Sequence, residues 1–320
     1  MGMLWATNSV GGFLANPKLD KVLQFSAQPL SRFRQFTEVK SAFGKQAGET
    51  FNWDKVANVS SPGGRLIETN TMYQTEQIIS KGTMAIYEYG NSIPFTKKLE
   101  LLSQYDVEEM IKKGLLTDFS KVMDGLIERE YNKTYLNYVG TASDGYVLTT
   151  DSSVAATNSS TFNKYHLKNM VDELVKRNVP PWDGEDYICI ASIEAMRGIL
   201  DDLESTKYYT GEGMKNLMAG EAGRYYNCRF IRDNYATRYT YSETARTSTA
   251  KSWTNSKSKD AYVFGQGTVA EAVAQPEGVI PKEITDYGRS RGLAWYFVGG
   301  YKIIWEDEGN SRIIKWASAA

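Results

Sequence analysis

The first regular pattern along the chain is an alternation of polar and apolar residues in two runs that flank a turn cluster. GETFNWDKV begins at Gly48, KGTMAIYEYG begins at Lys81, and SSPGGR lies between them. Alternation with a period of two is typical of half-buried strands, and the proline and glycines favour turns. The pattern predicts a long two-stranded hairpin over residues 48–92, and its polar tip, Asn58 to Asn70, should project from the body of the protein.

A stripe of apolar residues at three- and four-residue spacing follows the hairpin. It predicts a long amphipathic helix from Ser103 to Val139. Asp106, with Glu109 three positions on, has the form of a capping box near the start of this helix. Gly114 and Gly125 are the positions at which the helix can bend. We expect this helix to be the backbone of the fold.

Helical and strand patterns alternate over the rest of the chain, which favours a mixed α+β architecture. A segment rich in Ser, Thr and Lys, Tyr239 to Lys259, interrupts them and predicts an exposed, mobile loop. The other predicted elements are a helix at about Asn163 to Arg177, the strand YICIA at Tyr187 to Ala191, a helix from the cap Ser192 to about Leu203, and the strands NCRFIRD, DAYVF, GLAWYFVGGYKIIWED and SRIIKWAS.

The N-terminal segment, residues 1–47, has large apolar residues but no regular pattern, so it cannot form a core of its own. Aromatic residues are 12% of the chain, with 21 Tyr and 7 Trp, types that are favoured in protein interfaces. We therefore expect the segment and the hairpin tip to lie on neighbouring subunits. The expected contact residues are Trp5, Phe13, Phe33, Phe36, Pro62, Gly63, Gly64 and Arg65.

Charge and composition exclude several classes of function. The chain has 37 basic and 38 acidic residues, whereas proteins that grip many DNA phosphates have a clear basic excess. No apolar run approaches the length of a membrane span, and the N-terminus does not have the pattern of a secretory signal. His166 is the only histidine, and Cys189 and Cys228 have the context of buried thiols. We assign no catalytic residue, no cofactor and no metal.

One motif keeps an enzymatic alternative open. Gly265-Gln266-Gly267 follows the predicted strand DAYVF and fits the start of a dinucleotide-binding GxGxxA loop. Two prolines between Gln275 and Pro281 shorten the helix that should follow it. An intracellular NAD-linked enzyme that uses Gly265 and Gly267 is the alternative hypothesis. An adhesin or receptor-binding component is a third hypothesis, disfavoured by the long helix and the absence of β-repeats.

Three segments resemble the major capsid proteins of tailed bacteriophages, which have the Hong Kong 97-like fold. GNSIPFTKKLELLSQYDVEEM, Gly90 to Met110, joins a hairpin to a long helix as in that family. MAGEAGRYYNCRFIRDN, Met218 to Asn234, resembles its glycine-led strand, and TDYGRSRGLAWYFVGGYKII, Thr285 to Ile304, resembles its closing segment. The order of the elements is similar to that of the family over nearly the whole chain, with short-tailed phages closest in appearance.

The resemblance implies a domain organisation and a function. It implies an N-terminal arm (1–47), an extended E-loop hairpin (48–92), a P domain with the spine helix (93–160), an A domain (161–284) and closing strands of the P domain (285–320). The implied function is a structural subunit that self-assembles into hexamers and pentamers of an icosahedral head around double-stranded DNA. The implied location is the virion capsid, assembled in the bacterial host cytoplasm, with no membrane partner.

The resemblance also implies further partners. Residues 1–47 are too few for both an arm and the delta domain of some family members, so we expect a separate scaffolding protein and no proteolytic maturation. A portal protein and a decoration protein are the other implied partners. Lys55 and Lys81 lie in the hairpin region without a convincing context for the Lys to Asn crosslinks of some members, so we expect non-covalent contacts.

Overall fold

The computed structural model describes residues 31–40, 50–59, 63–68, 71–207, 224–253 and 259–319. Within these ranges the chain forms two larger sheets, two separate hairpins and four α-helices. The helices are α1 (Lys97–Leu102), α2 (Val107–Tyr131), α3 (Lys164–Lys176) and α4 (Ile193–Lys207). The strands are β1 (Thr37–Lys40), β2 (Thr50–Val56), β3 (Ile79–Ala85), β4 (Tyr87–Thr96), β5 (Leu136–Gly140), β6 (Tyr146–Thr149), β7 (Tyr187–Ala191), β8 (Arg224–Tyr225), β9 (Cys228–Arg232), β10 (Tyr239–Ser242), β11 (Thr247–Ala250), β12 (Ala261–Phe264), β13 (Val269–Pro281), β14 (Ser290–Ile303) and β15 (Ile313–Trp316).

The long helix α2 packs on a four-stranded sheet with the order β1-β13-β14-β4. Strand β1 is parallel to β13, and the other two pairs are antiparallel. The apolar stripe of α2 meets the aromatic face of β14, where the ring of Phe119 lies edge-on to Trp295 at 5.4 Å and to Phe297 at 6.3 Å. These contacts belong to the largest hydrophobic core, which holds the helix across the sheet.

A second core lies beneath a seven-stranded sheet with the order β6-β5-β15-β12-β7-β9-β8. Helices α3 and α4 supply Leu167, Met170 and Met196 to this core, and Trp316 of β15 is fully buried in it. All residues of β7 and β12 are buried, as expected for central strands. The predicted strands in this region and the predicted helix cap Ser192 are confirmed, and the structure shows that Asn163 caps α3.

The predicted start of α2 is confirmed, but its predicted end is wrong. The Asp106 side chain accepts a hydrogen bond from the Glu109 N–H at 3.1 Å, as a capping residue does. The helix ends at Tyr131, and the next segment forms β5, all of which is buried. The Thr134 hydroxyl donates to the Ile313 carbonyl at 2.5 Å, and β5 then pairs with the distant strand β15. A tertiary partner therefore overrides the apolar spacing there.

The expectation of a loop over residues 239–259 is also wrong for most of the described part. Strands β10 and β11 form an antiparallel hairpin that lies against α2. The Tyr241 side chain packs against α2 at Gly125. A Cβ atom on Gly125 would lie only 2.7 Å from the Tyr241 Cβ, so the contact requires glycine. The glycine in the helix therefore serves close packing. Strand β11 is exposed throughout, in keeping with its polar sequence.

Candidate assembly surfaces

In the described part of the chain, the hairpin of β2 and β3 is anchored to the body by Met84 near its base and by Lys55, whose ammonium lies 5.9 Å from the centre of the Trp305 ring. The two strands pair antiparallel over their whole length, and Met84 packs with Ala270 and Ile304 in a small core. The Trp53 ring packs over Gly82 of the opposite strand. The contact is so close that a Cβ atom on Gly82 would come within 2.2 Å of the ring. These contacts fix the direction of the hairpin and leave its outer part without support.

The outer part of the hairpin exposes large apolar side chains as well as polar ones. Tyr73 is 91% exposed and Met72 is 66% exposed. Every described residue in the ranges 63–68 and 71–80 is exposed. The apolar residues of this region that are more than half exposed are Val56, Val59, Leu66, Ile67, Met72, Tyr73, Ile78 and Ile79. A concentration of this kind is typical of an interaction surface, and the polar character of the tip sequence had concealed it.

The predicted contact residues fall into three groups. Gly63, Gly64 and Arg65 are exposed at the tip of the hairpin, and among the described residues, chain neighbours aside, no atom lies within 4 Å of the place where a Cβ atom of either glycine would lie. Trp5, Phe13 and Pro62 lie outside the described residues. The remaining two, Phe33 and Phe36, are inside the molecule.

Phe33 and Phe36 belong to the core of their own chain. Phe33 has no exposed surface, and its ring lies edge-on to Tyr131 at 5.3 Å and to Tyr262 at 5.8 Å. Phe36 is 7% exposed and packs edge-on to Trp182 at 5.2 Å. These rings are used within the subunit, which differs from the expectation that they contact a neighbouring subunit.

A buried carboxylate of α2 holds the segment that carries these phenylalanines. Asp124 accepts hydrogen bonds from the Ser31 hydroxyl at 2.6 Å and from the N–H groups of Arg32 and Phe33 at 2.6 and 3.2 Å. Burial raises the pKa of Asp124 to about 6, although these hydrogen bonds favour the charged form.

Arg34 ties the same segment to the four-stranded sheet. Its guanidinium forms ion pairs with Glu271 at 2.9 Å and Glu277 at 3.0 Å, both on β13. The Tyr301 hydroxyl donates to the same carboxylate of Glu271 at 3.2 Å. Residues 31–40 are therefore fixed to the body by charge as well as by apolar packing.

A second buried charge cluster joins α2 to the seven-stranded sheet. Lys251 is ion-paired with Glu128 of α2 and with Asp260 at 2.9 Å, and Lys315 lies 3.6 Å from Asp260. The Tyr262 hydroxyl donates to Glu128. Burial raises the pKa of Glu128, and the Lys251 charge opposes that shift. Burial alone would lower the pKa of Lys251, but the two carboxylates raise it.

The turn between β13 and β14 exposes another aromatic residue, which the sequence pattern did not single out. Tyr287 is fully exposed, and Ile284 beside it is 63% exposed. Asp286 and Tyr287 have φ angles of 53° and 51°, in the left-handed region that residues other than glycine rarely adopt. An exposed aromatic residue held in such a backbone is a candidate contact residue.

The structure contradicts the dinucleotide-binding alternative. Such a site needs a helix whose N-terminus meets the phosphates, whereas the strand β13 follows Gly267. The glycines have structural reasons instead. A Cβ atom on Gly265 would lie 2.2 Å from the Pro180 carbonyl oxygen, and Gly267 has a φ of 70°. The hypothesis that Gly265 and Gly267 form a dinucleotide-binding loop is therefore wrong.

The histidine and the cysteines are buried parts of the second core. His166 lies within hydrogen-bond distance of the Tyr138 and Ser160 hydroxyls, and burial lowers its pKa. Cys189 and Cys228 are free thiols on the neighbouring strands β7 and β9. Burial raises the pKa of the Cys228 thiol, which disfavours the reactive thiolate. Across the described residues there is no cluster of acids, histidines and cysteines suited to a metal ion, and no helix is long and apolar enough to cross a membrane.

Solved structures of phage capsids match this arrangement over nearly the whole chain. The capsid asymmetric unit of cyanophage Pam1 has a TM-score of 0.68 and 14% sequence identity, and the match covers 95% of this chain and 97% of that one. The capsid of Ralstonia phage GP4 has a TM-score of 0.65 and 14% identity over 100% and 99% of the two chains. The head structure of Helicobacter pylori bacteriophage KHP40 has a TM-score of 0.66 and 14% identity, with 95% of each chain covered.

The chain has a Hong Kong 97-like capsid fold. No protein-family model matches the sequence, and no curated protein matches it. Within this capsid fold, the largest group of described exposed apolar side chains lies on the β2–β3 hairpin, and smaller groups lie at the β13–β14 turn and on α1, where Leu101 is 70% and Leu102 50% exposed. The hairpin and the turn project from the cores, which is where contacts between subunits are expected.

Proposed function

We propose that this chain is the major structural protein of an icosahedral phage head and that it assembles into hexamers and pentamers around double-stranded DNA. The observation that carries the proposal is a capsid fold over the full chain whose projecting hairpin exposes a row of apolar side chains. On an isolated subunit such a hairpin would be an aggregation hazard. On a neighbouring subunit it forms a contact that repeats throughout the shell.

The free energy of this contact between subunits suits a reversible assembly. Each of the eight hairpin side chains that are more than half exposed stands to gain about 1 kcal/mol when a neighbour covers it. Together they supply roughly 8 kcal/mol, from which the loss of rotational and translational freedom is subtracted. A single contact of this size is modest, so the stability of the shell comes from many contacts acting together.

In this proposal the arm (1–47), the E-loop (48–92), the P domain (93–160 and 285–320) and the A domain (161–284) have the roles that they have in the family. The A domains of five or six chains meet around a local axis, and the E-loop and the arm link neighbouring chains. A scaffolding protein, a portal protein and a decoration protein are the other partners, and contacts between subunits are non-covalent. Assembly takes place in the host cytoplasm, and the finished location is the virion.

The net charge of −1 fits a wall that encloses DNA without binding it tightly. The proposal assigns no enzymatic activity to the chain. Buried ionisable groups of the chain, such as Glu128 and Lys251, are paired with one another inside the subunit. They hold elements of the fold together.

The test is co-expression with the candidate scaffolding protein, followed by negative-stain electron microscopy. We expect shells or capsomers from the unaltered chain. Deletion of residues 58–70 should leave a folded subunit with an unchanged thermal midpoint but should abolish shells. As a matched control, Val175→Ser removes an apolar side chain that is 54% exposed on α3 and should leave assembly intact. A discrete dimer or tetramer under all conditions, or normal shells from the deletion variant, would contradict the proposal.

A further inference from the structure

Residues 31–36 connect three parts of the subunit around the first core, which is formed by α2, the four-stranded sheet and one face of the seven-stranded sheet. On the side of the seven-stranded sheet, the ring of Phe33 lies edge-on to Tyr262 at 5.8 Å. The ring of Phe36 lies edge-on to Phe264 at 5.5 Å. Tyr262 and Phe264 belong to β12, a central strand of that sheet. One side of the segment therefore packs on the seven-stranded sheet.

The other side of the segment is bound to α2 and to the four-stranded sheet. Asp124 of α2 accepts hydrogen bonds from the Ser31 hydroxyl and the Arg32 N–H, both at 2.6 Å. The Arg34 guanidinium pairs at 2.9 Å with Glu271 of β13, whose side chain is 1% exposed. Helix α2 also packs directly on this sheet, so the two form one body. The segment thus joins this body to the seven-stranded sheet.

Direct polar and ring contacts between α2 and β12 are made at the end of the helix. The Tyr262 hydroxyl donates to Glu128 and lies 2.8 Å from the Oδ1 atom of the C-cap residue Asn132. The ring of Tyr131 lies edge-on to Tyr262 at 5.6 Å and to Phe264 at 5.1 Å. The chain then enters β5 of the same sheet. The last turn of α2 is therefore a fixed point between the helix and the seven-stranded sheet.

One turn earlier, residues 31–34 bond to the helix at a place where it is repelled by the sheet. Asp124 precedes Glu128 by four residues, so both carboxylates lie on the same face of α2. Burial raises the pKa of Asp124 to about 6, and the negative charge of Asp233, which follows β9 of the sheet, adds to the rise. The N–H groups of residues 32–34 all donate to Asp124 and offset this repulsion.

Loss of the segment from this position would change the balance between the helix and the seven-stranded sheet. Asp124 would lose the donors that offset the charge of Asp233, and the space that the rings of Phe33 and Phe36 fill would be empty. Repulsion of like charges and an unfilled apolar gap both disfavour the present angle. The fixed point at the last turn of α2 would remain, because residues outside the segment form it.

We propose that residues 31–36 form a clasp that sets the angle between α2 and the seven-stranded sheet, and that release of the clasp lets the helix swing about its last turn together with the four-stranded sheet. This device belongs to the free subunit, so it goes beyond the proposed function and does not depend on it. In a shell, the same angle would decide how each subunit presents its two sheets to its neighbours.

The first test measures the angle as a distance between two spin labels on the purified subunit. Lys112→Cys on α2 and Lys176→Cys on α3 place the labels at exposed positions on either side of the clasp, whereas Cys189 and Cys228 are buried and should not react. Lys112 lies about 28 Å along the helix axis from the end of α2, so a swing of about 10° moves it by about 5 Å. Pulsed electron paramagnetic resonance resolves such a change.

Arg34→Met combined with Phe36→Ala removes contacts on both sides of the clasp. We expect a second or broader distance in this variant, against a single narrow distance in the labelled parent. The matched control is Arg291→Met combined with Met84→Ala, which removes a similarly exposed ion pair, with Glu100, and a buried apolar side chain away from the clasp. The control should keep the parent distance. Equal shifts in both variants, or no shift in a folded clasp variant, would overturn the proposal.

Hydrogen exchange of the unaltered subunit is the second test, and it decides the question if the clasp variant does not fold. The N–H groups of Arg32, Phe33 and Arg34 all bond to Asp124, so they should exchange together and faster than the amides of β12. Arg34→Met should raise their exchange rate by about tenfold or more, the range for a lost charge-assisted hydrogen bond, and Arg291→Met by less than about twofold. Exchange of these amides only together with β12, at the rate of global unfolding, would show that no clasp is released.

Discussion

Replacement of Lys251 by methionine should destabilise the subunit, because it leaves the buried Glu128 carboxylate without its cation and leaves Asp260 with Lys315 alone. The Lys251 side chain is 10% exposed, and the side chains of its partners Glu128 and Asp260 are 2% and 7% exposed. Methionine keeps most of the apolar stem and removes only the charge and the hydrogen bonds. Loss of one member of a buried ion pair costs about 3 to 5 kcal/mol. That is a large fraction of the 5 to 15 kcal/mol by which domains are usually stable.

The pH dependence of this variant has a definite sign. Burial raises the pKa of Glu128, and removal of the Lys251 charge removes the group that opposes the rise. The folded variant therefore holds a proton that the unfolded chain releases, and its stability falls as the pH rises through the pKa of the folded state. The loss relative to the unaltered protein should thus be largest at neutral pH and smaller in acid.

The assay is urea-induced unfolding of the purified subunit at pH 5 and pH 7.5, followed by tryptophan fluorescence. Glu128→Gln combined with Lys251→Met removes the buried Glu128 charge together with its cation, so the double variant should be more stable than Lys251→Met alone at pH 7.5. A loss below about 1 kcal/mol for Lys251→Met, or a double variant less stable than both single variants, would refute the reasoning.

Two further predictions concern the segment that α2 holds. Because burial raises the pKa of Asp124 to about 6, this group contributes stability that is complete below about pH 4 and is lost as the pH rises through about 6. Asp124→Asn should abolish that part of the pH dependence in urea unfolding, and an unchanged profile would contradict it. Phe33→Ala should lower the free energy of unfolding by about 3 to 5 kcal/mol, whereas Arg65→Ala should change it by less than about 0.5 kcal/mol. If Phe33→Ala leaves unfolding unchanged but blocks assembly, Phe33 is a contact residue between subunits.

The predicted elements that are confirmed are those with a local cause. Asp106 and Ser192 cap their helices through bonds to N–H groups three residues away, so the sequence around them is enough to place the starts. The strands β7 and β12 are short apolar runs with clear boundaries. The β2–β3 hairpin follows from alternation on either side of a turn cluster, although residues 87–92 of the predicted hairpin belong to β4 and pair with β14.

The predicted elements that are wrong depend on distant partners. Residues 136–140 have spacing that suits a helix, yet they form β5 because β15 offers a parallel strand there. The polar segment after Tyr239 forms a hairpin because Gly125 opens a place for Tyr241 against α2. The local pattern of apolar and polar residues gives no information about which distant residues will pack against a segment, and those residues decided its structure here.

For the surfaces, the sequence indicated that the hairpin projects from the body of the protein. Only the tertiary structure decided which apolar residues remain for contacts between subunits. Phe33 and Tyr73 are both aromatic residues in segments without a core of their own. The Phe33 N–H donates to Asp124 and the Phe33 ring is buried, whereas Tyr73 is 91% exposed. Hydrophobicity is a property of the residue, whereas exposure is decided by the neighbours that the fold brings to it.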